Sequence, residues 1–423
     1  MKNIKVFKFG GASLRDVDNI KNVSDILQKY AGESLVIIVS AMGKTTNALE
    51  NVVRSYFERD GKAFDILNNI KANHYAIMDA LFDKEDDVYT HVNDTFVEVE
   101  WVLEDEPHDA YDYVYDQIVS IGEIVSSKIV AAYLNKVGLT TTWLDARDVI
   151  KTDETWREAI IDWKPTIYDT NIMIKPLIRE GGFIMTQGFI GSTKDNNTTT
   201  LGREGSDYSA AIFSHCLDAV GMYIWKDVPG VLSGDPRIFK DVVKLDNISY
   251  DEAIEMTYYG ATVVHPRTIQ PLMLKGIPLN VRSFVEHDAP GTIIGVEAPP
   301  QYPPIFMAEK NQIFLKFSNK DFTFLVEQHM RDLFDIFAKY HIFVNLIQNS
   351  GAYFYVSITH APDREKEMMH ELRDKFNIEE IHNLDLFTIR HPTPEAIAKL
   401  KEGKRAEFEK TIPDTYQVLL RQS

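Results

Sequence analysis

TTTLGREGSDYSAA, residues 198–211, is the stretch on which the predicted fold depends. A polar, glycine-containing loop leads here into an apolar, helix-compatible run that ends at Cys216. The first N–H groups of a helix lack partners within the helix and, with the helix dipole, attract an anion. Arg203 can hold a carboxylate or phosphate through two parallel hydrogen bonds, and Asp207 falls in the first turn. We therefore predict an anion-binding loop. The alternative is an ordinary helix capped by Ser206.

Two strand-turn-helix units near the N-terminus predict further loops of the same kind. The run IKVFKF (4–9) is followed by two glycines and a helix, so this backbone can approach a phosphate, with Lys8 adding positive charge. The apolar run SLVIIV (34–39) is typical of a buried parallel strand and is followed by SAMGKTTN (40–47). Ligands of open α/β sheets bind at the carboxyl ends of strands, so the loops should share one crevice. Tight turns with a surface lysine are the alternative for the first unit.

Two later motifs carry chemistry of their own. Glu123 interrupts a small-residue helical run, SIGEIVSSKIVAAYL, where it could bind an ammonium group or be an exposed helical glutamate. The run WKDVPGVLSGDPR (225–237) contains turn signals next to charged side chains that can handle a ribose or a phosphate.

Composition excludes several classes of protein. A chain of 423 residues, 44% hydrophobic and 26% charged, is an ordinary globular protein of two to three domains. A net charge of −18 argues against general nucleic-acid or anionic-membrane binding. With neither a signal peptide nor a membrane-spanning run visible, we expect a cytoplasmic protein. Cys216, the single cysteine, is expected in the core. The isolated His74 and His91 are not expected to bind metal.

The chain divides at a proline-rich stretch. Residues 298–304 hold four prolines and predict a stiff linker. Before it, residues 50–115 are predicted to be a mostly helical insertion. After it, residues 305–423 follow the order strand, helix, strand, strand, helix, strand of a split βαβ sandwich.

Six motifs in one order carry a family resemblance: KFGGAS, SAMGKTTN, IGEIVSS, TTTLGREGSDYSAA, WKDVPGVLSGDPR and ATVVHPRTIQPL. The combination is highly specific, extends from Lys8 to Thr292 and closely resembles aspartokinases of the amino-acid kinase superfamily. The resemblance implies an α/β three-layer sandwich around a mainly parallel sheet over residues 1–297. The remainder, 305–423, resembles the regulatory α+β ACT (βαββαβ) region, with a truncated second repeat.

The resemblance also implies an activity, the transfer of the γ-phosphoryl group of MgATP to the side-chain carboxylate of L-aspartate, which begins lysine, threonine and methionine biosynthesis. Lys8 and Asp207 would be catalytic. Aspartate would be held by Thr46, Glu123, Arg203 and Ser206, with Glu123 at its ammonium group and Arg203 at its α-carboxylate. The nucleotide side would comprise Lys8, Gly10, Gly11, Lys226, Asp227, Leu232 and Arg237. Magnesium would arrive with ATP rather than in a protein cage.

Three positions depart from the family pattern. Thr262 stands where the family usually has lysine, and Lys226 stands where it has threonine or serine. We hypothesise that Lys226 supplies the displaced positive charge to the nucleotide phosphates. Glu204 replaces a glycine, and its negative charge is expected to weaken aspartate binding.

Two other functions stay open at this point. One is a kinase acting on glutamate or N-acetylglutamate, against which the contexts of Glu123 and Arg203 argue. The other is a non-catalytic amino-acid sensor, against which Lys8, Arg203 and Asp207 argue. We expect a homodimer formed through the C-terminal module, with lysine or threonine as candidate effectors. Because no homoserine dehydrogenase portion follows, a monofunctional enzyme is expected.

Overall fold

The computed structural model of the chain describes residues 3–261, 264–297, 299, 301–321 and 324–421. The chain forms two compact units. The first comprises Met1–Val231, Lys244–Ala253 and Val264–Ala298, and the second comprises Leu232–Val243, Ile254–Val263 and Pro299–Ser423. Two residues of the predicted linker 298–304 lie outside the described part of the chain, and the predicted domain boundaries stay predictions.

Strands and helices are interspersed along the first unit, and five helices separate the second strand from the third. In chain order up to residue 295 the elements are β1 (Ile4–Phe9), α1 (Val17–Gln28), β2 (Ser34–Val39), α2 (Thr45–Glu58), α3 (Ala63–Leu81), α4 (Val88–Glu104), α5 (Tyr111–Val119), α6 (Ile121–Lys136), β3 (Thr141–Trp143), α7 (Trp163–Glu180), β4 (Phe183–Gln187), β5 (Ile190–Ser192), β6 (Thr198–Thr200), α8 (Gly205–Cys216), β7 (Gly221–Lys226), β8 (Asn247–Ser249), α9 (Tyr250–Tyr258), α10 (Pro266–Met273), β9 (Leu279–Ser283) and β10 (Thr292–Gly295).

One mainly parallel sheet of eight strands organises the first unit. Its order is β3-β4-β2-β1-β7-β9-β10-β8, and only β9 and β10 are antiparallel neighbours. The register places Phe9 beside Val39 and Trp225, and Val39 beside Gln187. The carboxyl ends of β1, β2, β4 and β7 therefore line up, and the turns that follow them emerge at one edge of the sheet.

Helices cover both faces of this sheet. All six residues of β2 are buried, as expected for a parallel strand enclosed on both sides. On one face, Phe7 and Phe9 of β1 belong to an apolar cluster that also contains side chains of α1 to α6. On the other face, β1 contacts α8, toward which Lys8 points. Alternation along β1 thus puts a cation on the α8 side without disturbing the larger core.

The helical stretch Tyr111–Lys136 is long and apolar enough to cross a membrane by length and composition alone. In the structure 83% of its most apolar window is buried inside the fold. Core helices of globular domains can be equally long and apolar. The side chains of Tyr111–Lys136 contribute to the apolar cluster around β1. The sequence shows no uninterrupted apolar run of membrane-spanning length, and Glu123 lies within this helical stretch.

The second unit is built around an antiparallel sheet. Its elements after the proline-rich stretch are β11 (Ile305–Asn319), α11 (Glu327–Lys339), β12 (Val344–Asn349), β13 (Phe354–Thr359), α12 (Pro362–Lys375), β14 (Phe376–Arg390), α13 (Pro394–Lys401), β15 (Ala406–Ile412) and β16 (Thr415–Arg421). The strand order is β12-β13-β11-β14-β16-β15, with every neighbouring pair antiparallel.

The predicted pattern corresponds to the elements from β11 to β14, and further elements follow β14. The order β11-α11-β12-β13-α12-β14 matches the predicted strand-helix-strand-strand-helix-strand pattern. Beyond β14 the chain adds α13 and the two strands β15 and β16. The long strands β11 and β14 take part in both halves of the sheet, because their pairing continues past a bulge near Gln312. Truncation of the second repeat stays a prediction.

Candidate functional site

A buried ion pair joins β1 to α8. Lys8 Nζ lies 2.6 Å from Asp207 Oδ1, and both residues are buried. Asp207 occupies the first turn of α8, as predicted. Burial by itself raises the pKa of the Asp207 carboxyl, but the charges of Lys8 and Lys226 outweigh burial and hold this pKa below its ordinary value. The pair keeps an ionised carboxylate and a cation together where little water enters.

The turns after β1 and β2 are in direct backbone contact. A Cβ on Gly11 would lie 2.7 Å from the Ala41 carbonyl oxygen, and the Gly43 N–H donates to the Gly11 carbonyl at 3.0 Å. A Cβ on Gly10 would lie 3.4 Å from Lys8 Nζ. A side chain at Gly11 would force the two loops apart, so glycine permits this approach. Together the loops make one wall.

Glu123 is a second buried carboxylate, which excludes the alternative of an exposed helical glutamate. It lies in the first turn of α6, and its Oε1 accepts a hydrogen bond of 3.2 Å from the Ala41 N–H. Its Oε2 is buried and has no hydrogen-bond partner within the described residues. Burial raises the pKa of Glu123 to about 8, although the Ala41 N–H and the charge of Lys8 act in the opposite direction. A buried acceptor short of a partner is suited to an ammonium group.

These groups line one pocket of about 940 Å³, within the usual range for small-molecule sites. Eight of the residues predicted for the site lie in its wall: Lys8, Gly11, Thr46, Glu123, Arg203, Ser206, Asp207 and Lys226. Arg203 is exposed and Thr46 is half-buried, so both can meet a ligand. The sequence-based expectation that several strand-end loops share one crevice is confirmed.

Other predicted nucleotide-side residues are not in this wall. Asp227 is exposed beyond the end of β7. Leu232 and Arg237 belong to the second unit, in which Arg237 Nη2 pairs with Asp235 Oδ2 at 2.7 Å. Thr262 lies outside the described residues. Contacts of these residues with a nucleotide stay predictions.

Glu204 shapes the start of α8. The helix begins at Gly205, and Glu204 before it has a φ of +54°, a left-handed conformation that favours glycine. Its Oε2 accepts a hydrogen bond of 3.0 Å from the backbone N–H of His265. The Glu204 side chain therefore does not cap α8. Ser206, the alternative cap, lies inside the helix.

A loop containing Arg157 completes the wall, and sequence reasoning missed it. Arg157 has a φ of +69°, and its backbone N–H donates to both carboxylate oxygens of Asp116 at 3.2 and 3.0 Å. The fully buried Asp116 also accepts from the Thr200 N–H and hydroxyl at 3.0 and 2.6 Å. Burial raises the pKa of Asp116 to about 6 despite these donors. The sequence did contain one signal of this contact: Asp116 follows Tyr115 on the apolar face of α5, where a carboxylate needs a hydrogen-bond donor.

An open, mainly parallel sheet with glycine-lined turns and paired charges at one edge is an arrangement suited to small anionic ligands at the strand ends. The sequence pattern of the Amino acid kinase family matches residues 3–283. This match covers more than half of the chain, which therefore belongs to the amino acid kinase family.

Its relatives within that family are aspartokinases. The chain is 32% identical over 354 residues to lysine-sensitive aspartokinase 3 of Escherichia coli (strain K12), covering 83% of this chain and 77% of that protein. It is 35% identical over 296 residues to the chloroplastic bifunctional aspartokinase/homoserine dehydrogenase 1 of Arabidopsis thaliana. That match covers 68% of this chain but only 32% of the plant protein. The chain thus spans about a third of the bifunctional relative.

Solved aspartokinase structures agree over nearly the whole chain. The crystal structure of E. coli aspartokinase III in complex with lysine and aspartate, the T-state, gives a TM-score of 0.84 at 27% identity. The structure with aspartate and ADP, the R-state, gives 0.81 at 26% identity. Each comparison covers 99% of this chain and 96% of the other. The predicted fold class and the aspartokinase resemblance are confirmed.

Proposed function

We propose that the protein is an aspartate kinase, which transfers the γ-phosphoryl group of ATP to the side-chain carboxylate of L-aspartate. One observation carries this proposal: the Lys8–Asp207 pair, Glu123 and Arg203 share a single pocket. The E. coli relative, crystallised with aspartate and in one case with ADP, supports the same pair of ligands. The product, 4-phospho-L-aspartate, would start the synthesis of lysine, threonine and methionine.

The substrate end of the pocket is assigned by charge. Glu123 Oε2, which has no hydrogen-bond partner within the described residues, takes the ammonium group of aspartate. Arg203, exposed at the pocket wall, takes the α-carboxylate through its two-pronged guanidinium. Thr46 and Ser206 offer hydroxyl groups from the same wall. These contacts leave the side-chain carboxylate of aspartate directed at the phosphoryl donor.

The transfer itself needs little covalent help from the protein. An oxygen of the aspartate side chain attacks the γ-phosphorus, and the bond from that phosphorus to the bridging oxygen of ADP breaks. Since the attacking carboxylate is already ionised, no general base is required, and positioning with charge neutralisation supplies most of the catalysis. Lys8 holds the transferring group, while Asp207 keeps the Lys8 ammonium in place at 2.6 Å.

The nucleotide end rests on the glycine turn and a second lysine. Gly10 leaves its backbone bare beside the Lys8 ammonium, where a Cβ would lie 3.4 Å from Nζ, and Gly11 lets the loop after β2 approach. Lys226 lies in the same wall, and its charge lowers the pKa of Asp207, second to that of Lys8, so it acts close to the Lys8–Asp207 pair. Asp227, Leu232 and Arg237 are assigned to the nucleotide by resemblance. Mg²⁺ would bind the nucleotide phosphates and neutralise charge as it develops.

A coupled assay of ADP release tests the proposal. ATP should be consumed with aspartate, and not with glutamate or N-acetylglutamate. ADP release with either of these instead would identify a different amino-acid kinase. If none of the three releases ADP while calorimetry still detects bound aspartate, the protein is a non-catalytic sensor. The Lys8→Met variant serves as the blank, because it loses the cation at the transferring group.

We also propose that a homodimer forms through the second unit. Strand β12 is at the edge of the antiparallel sheet, and Phe343 just before it is 78% exposed. An edge strand next to an exposed apolar side chain is suited to pairing with a second copy. Light scattering at micromolar concentration should give twice the chain mass, and Phe343→Glu should reduce it. A wild-type monomer would overturn this assignment.

Lysine is the effector that we test first, because the E. coli relative is named lysine-sensitive. Threonine stays the second candidate. Addition of each amino acid to the ADP-release assay separates them: lysine should inhibit, and inhibition by threonine alone would reverse the order. A cytoplasmic location stays a prediction from the sequence.

A further inference from the structure

A second cavity in the first unit shares no residue with the pocket described above. It has a volume of about 670 Å³ and lies between the end of α3, the start of α4, helix α6 and strand β3. Five of its eleven lining residues have apolar side chains: Phe82, Val88, Ala131, Ala132 and Trp143. The size and the apolar character are those of a site for a small organic molecule.

Lys128 brings a positive charge to this cavity. Its ammonium donates to the His91 carbonyl at 3.2 Å and to Thr95 Oγ1 at 2.7 Å, both neutral acceptors. It forms no ion pair with any residue that the structure describes. Burial also lowers the pKa of Lys128, although nearby acidic groups oppose this effect. A half-buried ammonium with neutral partners retains a capacity for an anion.

The other lysine of the wall is different. Lys136 Nζ pairs with Asp83 Oδ2 at 2.9 Å and with Asp86 Oδ2 at 3.1 Å, so its charge is already neutralised. Asp87, which also lines the cavity, makes no ion pair within the described part of the chain. The lysine that is short of a negative partner is therefore Lys128.

Trp143 gives the cavity a fixed aromatic surface. Its Nε1–H donates to Ser127 Oγ at 2.9 Å, which orients the indole. The Lys128 ammonium lies 5.5 Å from the ring centroid. A carboxylate at Lys128 would therefore sit close to an aromatic face against which an apolar body can pack.

We propose that this cavity binds a small organic acid with an aromatic or branched aliphatic body, its carboxylate on Lys128 and its body against Trp143. Both amino acids and simple carboxylic acids carry this chemistry. An amino acid would in addition offer its ammonium group to Asp87. The site lies on α6, the helix whose first turn holds Glu123, so its occupant contacts the helix that positions one wall of the substrate pocket.

Titration calorimetry on the full-length protein without nucleotide tests the proposal independently of kinase activity. The probes are 3-phenylpropionate, L-phenylalanine and the neutral 3-phenylpropan-1-ol, each up to about 10 mM. At least one of the two acids should bind, at least about tenfold more tightly than the alcohol. Binding of L-phenylalanine alone would identify the amino-acid form. Equal binding of the alcohol, or no binding of either acid, would overturn the proposal.

Variants separate the site from non-specific binding. Lys128→Met keeps the stem and removes the charge, and should weaken the acid at least about tenfold. Ala132→Phe should block the cavity with Lys128 intact. Lys151→Met is the matched control, because Lys151 is another half-buried lysine on neutral acceptors, Arg147 O and Ser192 Oγ, and it lies outside the cavity. Unchanged affinity in both Lys128→Met and Ala132→Phe would contradict the assignment.

Discussion

Two buried carboxyl groups line one pocket, and their pKa values are shifted in opposite directions. Asp207 has Lys8 at 2.6 Å and keeps its pKa below the ordinary value, whereas Glu123 has backbone N–H donors and a pKa of about 8. Burial penalises ionisation at both positions, so the difference comes from the adjacent cation. The Asp207 carboxyl is therefore ionised before any ligand binds. The Glu123 carboxyl loses its proton when a cationic partner binds, and we propose that this partner is the substrate ammonium group.

Without the Lys8 cation, the Asp207 carboxyl should have a raised pKa, as the Glu123 carboxyl has. We expect Lys8→Met to lower kcat about a thousandfold, because a positioned charge at the transferring group is lost. The pKa of Asp207 should rise, and an unpaired buried carboxylate should destabilise the fold by about 3 kcal/mol or more. Steady-state kinetics and thermal unfolding measure both effects.

Lys5→Met is the matched control for this variant. Lys5 is on the same strand and pairs with Glu33 at 2.5 Å, but this pair is much more exposed than Lys8–Asp207. Exposed ion pairs are worth less than about 1 kcal/mol, so activity and stability should change little. Equal losses in the two variants would show that the Lys8 effect is structural.

Removing the ionisable group at the other end should affect binding rather than the chemical step. Glu123→Gln should raise the KM for aspartate about 10- to 100-fold through loss of a charge-assisted hydrogen bond, with the KM for ATP unchanged. A rise in the KM for ATP, or none in that for aspartate, would refute the assignment of Glu123 to the ammonium group.

The acidity of Glu123 also predicts a pH dependence. With a pKa of about 8, the free carboxyl keeps its proton at lower pH and must lose it to pair with an ammonium group. The KM for aspartate should therefore fall as pH rises from about 6 to 8, by up to about tenfold per unit. The Glu123→Gln variant should show no such slope, and a wild-type slope of the opposite sign would exclude the mechanism.

Lys226 is the residue that we propose to act on the nucleotide phosphates beside the Lys8–Asp207 pair. Lys226→Ala should raise the KM for ATP about tenfold and leave the KM for aspartate unchanged, since its charge acts on the phosphate side. The exposed Lys194 provides a control for loss of a lysine charge elsewhere on the molecule. An unchanged KM for ATP in Lys226→Ala would remove Lys226 from the nucleotide site.

The smallest expected effect is at Glu204. Glu204→Gly removes a negative charge near Arg203 and relieves the left-handed backbone, so the KM for aspartate should fall a few-fold with stability within about 1 kcal/mol of wild type. Glu204→Ala should lower the KM similarly but lose about 1 kcal/mol, because the hydrogen bond to His265 is gone and the backbone stays strained. A higher KM in both variants would mean that Glu204 assists binding.

Local sequence patterns predicted the strands that carry the pocket. β1 and β2 have the predicted bounds, because their apolar runs end abruptly in small and polar residues. The predicted helical run SIGEIVSSKIVAAYL is the helix α6, but Ser120 separates it from α5, a break that apolar spacing does not reveal. The strand β6 was predicted as part of a loop, since Thr198–Thr200 gains its partner only from β5.

Non-local contacts account for what the sequence did not reveal. Arg157 enters the pocket wall because Asp116, 41 residues earlier, binds its backbone N–H. The opposite acidities of Asp207 and Glu123 likewise depend on which groups the fold places beside them. Residue type suggested both carboxylates as ligands, but only the three-dimensional arrangement assigns them different charges.

Proton release on aspartate binding tests the central claim most directly. Calorimetry at pH 7 in buffers of different ionisation enthalpy measures the protons released per aspartate bound. Because Glu123 is protonated in the free protein and ionised beside an ammonium group, the wild type should release close to one proton and Glu123→Gln about none. Binding of aspartate without proton release by the wild type, or equal release by the variant, would contradict the account.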